Sequence, residues 1–351
     1  KSGKTKTKSG INRVSQSIFN ELKVLLGEKI QAVYWNKKKQ DFGIGNNNKA
    51  LFLESDDNKS GNIFITAEVF CESERIGFSE WLNKNELHNS VIFHDAIPLR
   101  HPEFTWPHSV ARHPFYMKML ALFDSIYSVS DHSQNCVENY LQWLDLKNIP
   151  LLKRIHLGAN SSEIARQYKT ESQPENNAEV LMVGIIEPRK NQSLALKAAK
   201  TLWDDGQKFT LHICGRVNPH FGKSILKTIK QMIKKGYSLH YHDAPSDSEI
   251  TRLYQTCSFS LFPSIDEGCG IPLLESMWMG LPVICSDIPS LMENAKDGGA
   301  LPFTSNNADE LAQKMRQLLE PEKLAHLNNE IKTRSLPTWE ETASKLINSL
   351  K

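Results

Sequence analysis

FPSIDEGCGIPLLESMWMGLPVICSD (262–287) reads as a buried strand ending at Pro263, a turn, a helix opening near Pro272 and a second apolar strand, PVIC (282–285). Strand, helix and strand in succession make a βαβ unit, the building block of a parallel sheet. Glu267 falls in the turn and Glu275 about one turn into the helix. Pro272 suits a helix start, where its missing N–H costs nothing, and Gly270 lets backbone approach a ligand closely. The unpaired N–H groups of a helix start, with Ile271 among its first residues, attract anions. Open α/β sheets collect ligands beyond the carboxyl ends of their strands, so the two carboxylates are set to grip hydroxyls at opposite ends of one ligand.

The pattern extends in both directions. VLMVG (180–184), FTLHIC (209–214), YSLHY (237–241) and FSLF (259–262) alternate with helical stretches, one of which spaces Ile225, Ile229 and Ile233 at i, i+4 and stops at Gly236. The N-terminal half repeats the theme less regularly, with strands expected at QAVYW (31–35), NIFIT (62–66), SVIF (90–93) and IYSV (126–129). Polar KTESQPENNAE (169–179) has the composition of a linker. The expected division is an N-terminal α/β domain over 1–170, a second α/β domain over 178–335 and a terminal helix over 336–351, with Thr338 as N-cap and Glu341 at capping-box spacing. SGINR (9–13) comes almost at once, ahead of any buried strand, so the first strand of the N-terminal domain is expected to be missing and the chain to be a module of a longer one.

A length of 351 residues is about twice that of one domain, which fits two cores and a cleft. No apolar run approaches the roughly 20 residues of a membrane span. The basic start lacks an apolar h-region, so it does not read as a secretory signal. Six scattered cysteines without CxxC pairs argue against disulfides or a zinc framework and for a reducing cytoplasm. A formal net charge of +2 asks for no nucleic acid. No DxD stands near a strand end, ESDDNK (54–59) reads as a loop, and the histidines lack HExxH or paired-ligand spacing, so no metal and no cofactor are expected.

The 262–287 stretch closely resembles the E-x7-E region of glycosyltransferase family four. VGIIEPRKNQ (183–192) resembles the family's phosphate-binding loop, and SDSEITRLYQTCSFSLFPS (246–264) its nucleotide-side segment. In the first half, SGINRV (9–14), FHDAIPL (93–99), FDSIYSVSDHS (123–133) and HLGAN (156–160) resemble its glycine loop, histidine loop and later strand ends. The resemblance implies a GT-B fold, two Rossmann-like doubly wound domains facing a cleft, and transfer from a nucleotide-diphosphate sugar with retention of configuration.

Carried over by motif, Arg189 and Lys190 hold the diphosphate, whose charge grows as the glycosidic bond breaks. The family often has a further basic residue after the strand glycine; here Ile185 follows Gly184, and Arg216 after Gly215 stands in for it. Glu275 accepts from the ribose hydroxyls. Glu267 contacts the transferred sugar, with the amides of Gly268, Cys269 and Gly270, and Gly10 belongs to the donor side. His94, ending SVIF, touches the donor sugar near the reacting carbon, and Asp95 orients the loop or binds acceptor. Catalytic roles thus fall to His94, Glu267 and Lys190. The VG..EPRKN form resembles bacterial enzymes of O-antigen and capsule synthesis, many of them mannosyl-transferring, which points to GDP-mannose. A phosphorylase or sugar-phosphate transferase on the same fold, or a silent sugar-nucleotide-binding module, are the alternative readings.

LRHPEFTWPHSVARHPFYMK (99–118) interleaves Arg100, His101, His108, Arg112, His113 and Lys118 with Phe104, Trp106, Phe115 and Tyr116. Following His94, it is expected on the acceptor side, where its cations, Arg100 and Arg112 above all, attract a lipid-linked glycan or the anionic inner membrane face while its rings stack on sugars. The plain structural alternative is a long surface loop leading into the helix FYMKMLALF.

Overall fold

Strands buried along their whole length need cover on both faces, and both halves of the chain supply it. The computed structural model describes residues 10–45, 50–54, 62–160, 164–169 and 178–350. The described residues divide into two units: a C-terminal one from Ala159 to Leu336, and an N-terminal one made of residues 10 to 158 and those from Pro337 on. Most of KTESQPENNAE, all but the first residue of ESDDNK, and Ser9 lie outside the described residues.

The N-terminal unit has seven strands, β1 (Ile30–Asn36), β2 (Asp41–Ile44), β3 (Ala50–Leu53), β4 (Ile63–Thr66), β5 (His88–Phe93), β6 (Ser125–Ser128) and β7 (Leu151–Arg154), in the order β2-β1-β3-β4-β5-β6-β7. β4 to β7 are parallel, as expected, whereas β1 runs antiparallel to β2 and β3, and β3 antiparallel to β4. The edge strands β2 and β7 have no fully buried residue. They therefore carry no apolar run to announce them. An aromatic cluster fills the core on one side, with Trp35 edge-on to Phe78 at 5.2 Å and Phe78 stacked on Trp81 at 5.8 Å.

The described residues open on a helix, Gly10–Leu26, so Gly10 stands at an exposed helix end and no strand precedes it among them. The terminal helix, Trp339–Leu350, has the expected reciprocal cap: Glu341 N–H donates to Thr338 Oγ1 and Thr338 N–H to Glu341 Oε2, both at 3.2 Å. It packs on the N-terminal unit, where Thr342 donates to His156 O at 2.6 Å and Tyr127 to Ser349 O at 3.1 Å.

The C-terminal unit has six parallel strands, β8 (Ala178–Val183), β9 (Phe209–Cys214), β10 (Leu239–His242), β11 (Phe259–Phe262), β12 (Val283–Ser286) and β13 (Ala300–Phe303), ordered β10-β9-β8-β11-β12-β13. Counted from its own first strand this is the 3-2-1-4-5-6 order of a dinucleotide-binding fold, whose switch point lies between the first and fourth strands, here β8 and β11. Val180 and Met182 face one core cluster and Leu181 the other, the period of two of a sheet covered on both sides. In the helix Lys223–Lys234, Ile225 and Ile229 are buried as the spacing predicts, but Met232 takes the third buried place and Ile233 is 41% exposed. The unit begins ahead of the 169–179 stretch because residues 164–169 already pack on it: Arg166 Nη2 donates to Ile331 O at 2.6 Å and Gln167 N–H to Trp278 O at 3.0 Å.

Candidate active site

The switch point of the C-terminal unit is where its buried charges gather. The loop after β8 turns through Pro188–Lys190 in a single 3₁₀ turn, and the loop after β11 carries Glu267 to the helix Ile271–Trp278. Lys190 Nζ donates to Glu267 Oε1 at 2.5 Å, and Arg189 Nη1 lies 3.1 Å from Glu267 Oε2. Arg189 also donates to Asp266 O at 2.7 Å and to Glu187 Oε1 at 2.9 Å, and Asn218 donates to Glu187 Oε2 at 3.0 Å. Ile265 N–H closes on Arg189 O at 2.9 Å, so backbone as well as side chains ties the two loops together. Glu187, Lys190 and Glu267 are each less than a tenth exposed.

Two carboxylates and two cations cancel within this pocket, which is what makes their burial tolerable. Burial pushes Glu267 upward, but Lys190 first and Arg189 next pull it down to about 2, so it is ionised at any working pH. Burial draws the Lys190 ammonium below its usual range and Glu267 opposes this. Contact with an ionised carboxylate keeps Lys190 cationic. Its stem lies against Gly184, and its Nζ sits 5.0 Å from the centre of the Phe262 ring.

Backbone geometry explains the glycines. Gly215, at the end of β9, has φ +155°, and a Cβ there would run into Gly184 O. Gly270 caps the helix with φ +82°, and a Cβ would strike Leu291. Asn294 Nδ2 anchors the same loop by donating to Cys269 O at 2.7 Å. Ile271 is the first helical residue, and Ser276 fixes the helix to β11 through Ser260 at 2.7 Å. Glu275, next to Ser276, is half-buried in the second turn of the helix. Arg216 is exposed, and its carbonyl accepts from Ile186 N–H at 2.9 Å.

Within the C-terminal unit the structure thus gathers Arg189, Lys190 and Glu267, with Gly268, Cys269 and Gly270 in the same loop. It also adds Glu187 and Asn218, which the sequence reading had not singled out. Their signal was there in a glutamate directly ahead of Pro-Arg-Lys and an asparagine just past Gly215-Arg-Val.

In the N-terminal unit, His94 follows β5 and is 7% exposed. Its Nε2 meets Ala67 O at 3.0 Å, and since a carbonyl only accepts, Nε2 carries the proton and Nδ1 the lone pair. Burial, partly offset by that carbonyl, lowers its pKa to about 4, so the ring is neutral at pH 7. Asp95 Oδ1 accepts from Ile97 N–H at 3.0 Å and so turns the chain into the next helix. Residues 99–118 are mainly helical: Pro107, at a first helical position, starts the helix Pro107–Leu120 well before FYMKMLALF. His113 and Tyr116 face the core, Trp106 and Phe115 are exposed, Arg112 pairs with Glu74 at 2.9 Å, and Arg100 meets His132. No described helix is long and apolar enough to cross a membrane.

Residues 164–334 match the family model for glycosyl transferases group 1. The serotype-specific mannosyltransferase WbdA of Escherichia coli is 25% identical over 375 aligned positions, covering 98% of this chain and 44% of the relative. The O-antigen chain mannosyltransferase RfbU of Salmonella typhimurium is 30% identical over 151 residues, covering 42% of this chain and 41% of the relative. The chain therefore spans less than half the length of WbdA. Among solved structures, sucrose-phosphate synthase from Thermosynechococcus elongatus superposes with a TM-score of 0.60 at 18% identity, over 77% of this chain and 69% of that one. That likeness establishes the GT-B fold.

Proposed function

From a chain whose residues 164–334 match the family model for glycosyl transferases group 1, on a GT-B scaffold, we propose a retaining mannosyltransferase that uses GDP-mannose. Its acceptor is a glycan or lipid-linked glycan of a bacterial surface polysaccharide. The observation that carries this reading is the buried Lys190–Glu267–Arg189 constellation at the β8/β11 switch point, next to a helix start. Similarity to mannosyltransferases of O-antigen synthesis supports the choice of sugar.

In this reading the bond between the anomeric carbon and the diphosphate oxygen breaks, and the acceptor oxygen bonds to that carbon on the same face. The acceptor's proton passes to the departing phosphate. Lys190 and Arg189 are already cationic and already oriented, so they stabilise the charge that grows on the diphosphate without reorganising. Glu267, ionised and held by both, accepts from hydroxyls of the transferred sugar. Glu275 takes the ribose hydroxyls, Gly268, Cys269, Gly270 and Ile271 supply amides, and Arg216 is a further phosphate contact. His94, with its lone pair on Nδ1, is assigned to the transferred sugar; Asp95, Arg100 and Arg112 are assigned to the acceptor. No metal is needed, because the two cations do its work. The cysteines, none of them in a disulfide, fit action in a reducing compartment.

NMR of the product formed from GDP-mannose tests the reading. It should keep the donor's α configuration and form equally well in EDTA. An inverted product, loss of transfer in EDTA, or a thermal shift with UDP-sugars but not with GDP-mannose would overturn it.

A further inference from the structure

A second cluster lies at the opposite end of the same sheet. Glu179 is the second residue of β8, and Cys257 follows the helix Asp247–Thr256 two residues ahead of β11. Ser258 N–H donates to Glu179 O at 2.7 Å, which sets these two starts side by side. Leu181 pairs with His212 across β8 and β9, so Glu179, two residues earlier, projects from the same face as His212. One ligand atom from each of Glu179, His212 and Cys257 lies within 4.8 Å of the other two, and His212 Nε2 is 3.8 Å from Glu179 Oε1.

The orphaned ring nitrogen gives this cluster a direction. The His212 side chain is 10% exposed, and its Nε2 has no hydrogen-bond partner among the described residues. Leaving such a group buried is unfavourable. Its other nitrogen, Nδ1, meets His242 Nε2 at 3.0 Å. A proton on His212 Nδ1 leaves the Nε2 lone pair aimed at Glu179 and Cys257, the arrangement in which metal-ligating histidines are held by an outer partner. Lys169 and Arg252 face the cluster as cations, with Lys169 donating to Cys257 O, and Glu249 faces it as an anion.

We propose that Glu179, His212 and Cys257 form a binding site for a zinc-class divalent cation. Sulfur, imidazole and carboxylate donors suit a borderline-soft tetrahedral ion and not magnesium or calcium. Bond lengths of about 2.0–2.3 Å at tetrahedral angles separate ligand atoms by about 3.3–3.7 Å. His212 and Glu179, at 3.8 Å, are therefore almost in place, and Cys257 has at most about 1 Å to close. The half-exposed Glu179 side chain offers the way in and leaves the fourth position to solvent. Binding exchanges the thiol proton for the metal, so Cys257–SH and M²⁺ give Cys257–S⁻–M²⁺ and H⁺. Two anionic ligands then balance the ion's charge beside Lys169. The three donors come from separate strands and turns, which is why no ligand spacing appears in the sequence. Lys190 and Glu267 follow the carboxyl ends of β8 and β11, whereas this site sits at their amino ends, so it is separate from the sugar-transfer site.

The test uses the full chain, stripped with EDTA, dialysed and titrated with cobalt chloride and then zinc chloride. Thiolate-to-cobalt charge-transfer absorption should saturate at one cobalt per chain and vanish as zinc replaces it. Cys257→Ser should abolish it, and Glu179→Gln, at a half-exposed position that tolerates the change, should weaken cobalt binding at least about tenfold. Zinc should raise the unfolding temperature of the unaltered chain and not of Cys257→Ser. Absence of the band in the unaltered chain, an undiminished band in Cys257→Ser, or unchanged affinity in Glu179→Gln would overturn the site. If Cys257→Ser fails to fold, the Glu179→Gln titration decides alone.

Discussion

Beyond the carboxyl ends of β8 and β11 the chain buries Glu187, Lys190 and Glu267 and links them through the partly buried Arg189; beyond that of β5 it buries one histidine and keeps it neutral. Both are strand-end positions in α/β sheets, yet their electrostatics are opposite. The β8 loop has room for charge because each carboxylate meets a cation within about 3 Å. Among the described residues His94 has a backbone carbonyl as its partner and no counter-charge, so protonation there is costly. The two strand ends therefore differ in kind: paired charges after β8, a neutral hydrogen bond after β5.

The sharpest way to break this contrast is Lys190→Ala. Removing one preplaced donor should lower kcat about 10²- to 10³-fold, and because a buried ion pair loses a partner the unfolding temperature should fall as well, tempered by Arg189, which still holds Glu267, so kcat is read below that temperature. Wild-type turnover would take Lys190 out of the mechanism.

Next comes pH. His94 and His113 both titrate near 4 in the folded chain against 6.5 ordinarily. The unfolded chain therefore binds more protons between those values. Stability is full above about pH 6.5 and falls as the pH drops toward 4, by up to about 3 kcal/mol for each ring. Glu267 runs the other way in range: its contribution holds down to its ordinary value of 4.5 and is lost only as the pH falls toward 2. Urea unfolding at pH 7 and pH 4.5 measures the difference, and His94→Gln should shrink it. A drop of the same size in His94→Gln would mean that His94 is not the neutral group inferred here.

Glu275→Ala should weaken donor binding by about 1.5–3 kcal/mol, the value of a charged hydrogen-bond acceptor, with the fold intact. Calorimetry with GDP-mannose checks this, and an unchanged Kd removes Glu275 from the ribose.

The smallest effect is expected on the acceptor side. Arg112 is paired with Glu74 on a partly exposed surface, an interaction usually contributing under about 1 kcal/mol, so Arg100→Ala with Arg112→Ala should fold normally. Binding to anionic liposomes should fall with salt and fall further in the double variant. If the double variant binds and transfers as the unaltered chain does at low salt, residues 99–118 serve structure alone.

What the sequence determined by itself was local. Pro272 and Gly270 announced a helix start after a buried strand, Thr338 and Glu341 a capped terminal helix, and the apolar runs the parallel core strands, because each of these signals rests on neighbours a few residues apart. Tertiary structure decided the rest. The antiparallel edge of the N-terminal sheet is set by which strands pair, β1 with β2 and β3, and by no run of residues within any one of them. The terminal helix leaves the unit it follows in sequence because Tyr127 and His156 bind it elsewhere. Lys190 and Glu267 could each be suspected from motif, but their direct pairing, the charge state it imposes and the addition of Glu187 and Asn218 came only with the strand order that brings the loops after β8, β9 and β11 together. Local propensity acts through covalent neighbours, whereas an ion pair acts through space, and only the folded sheet puts those loops within its reach.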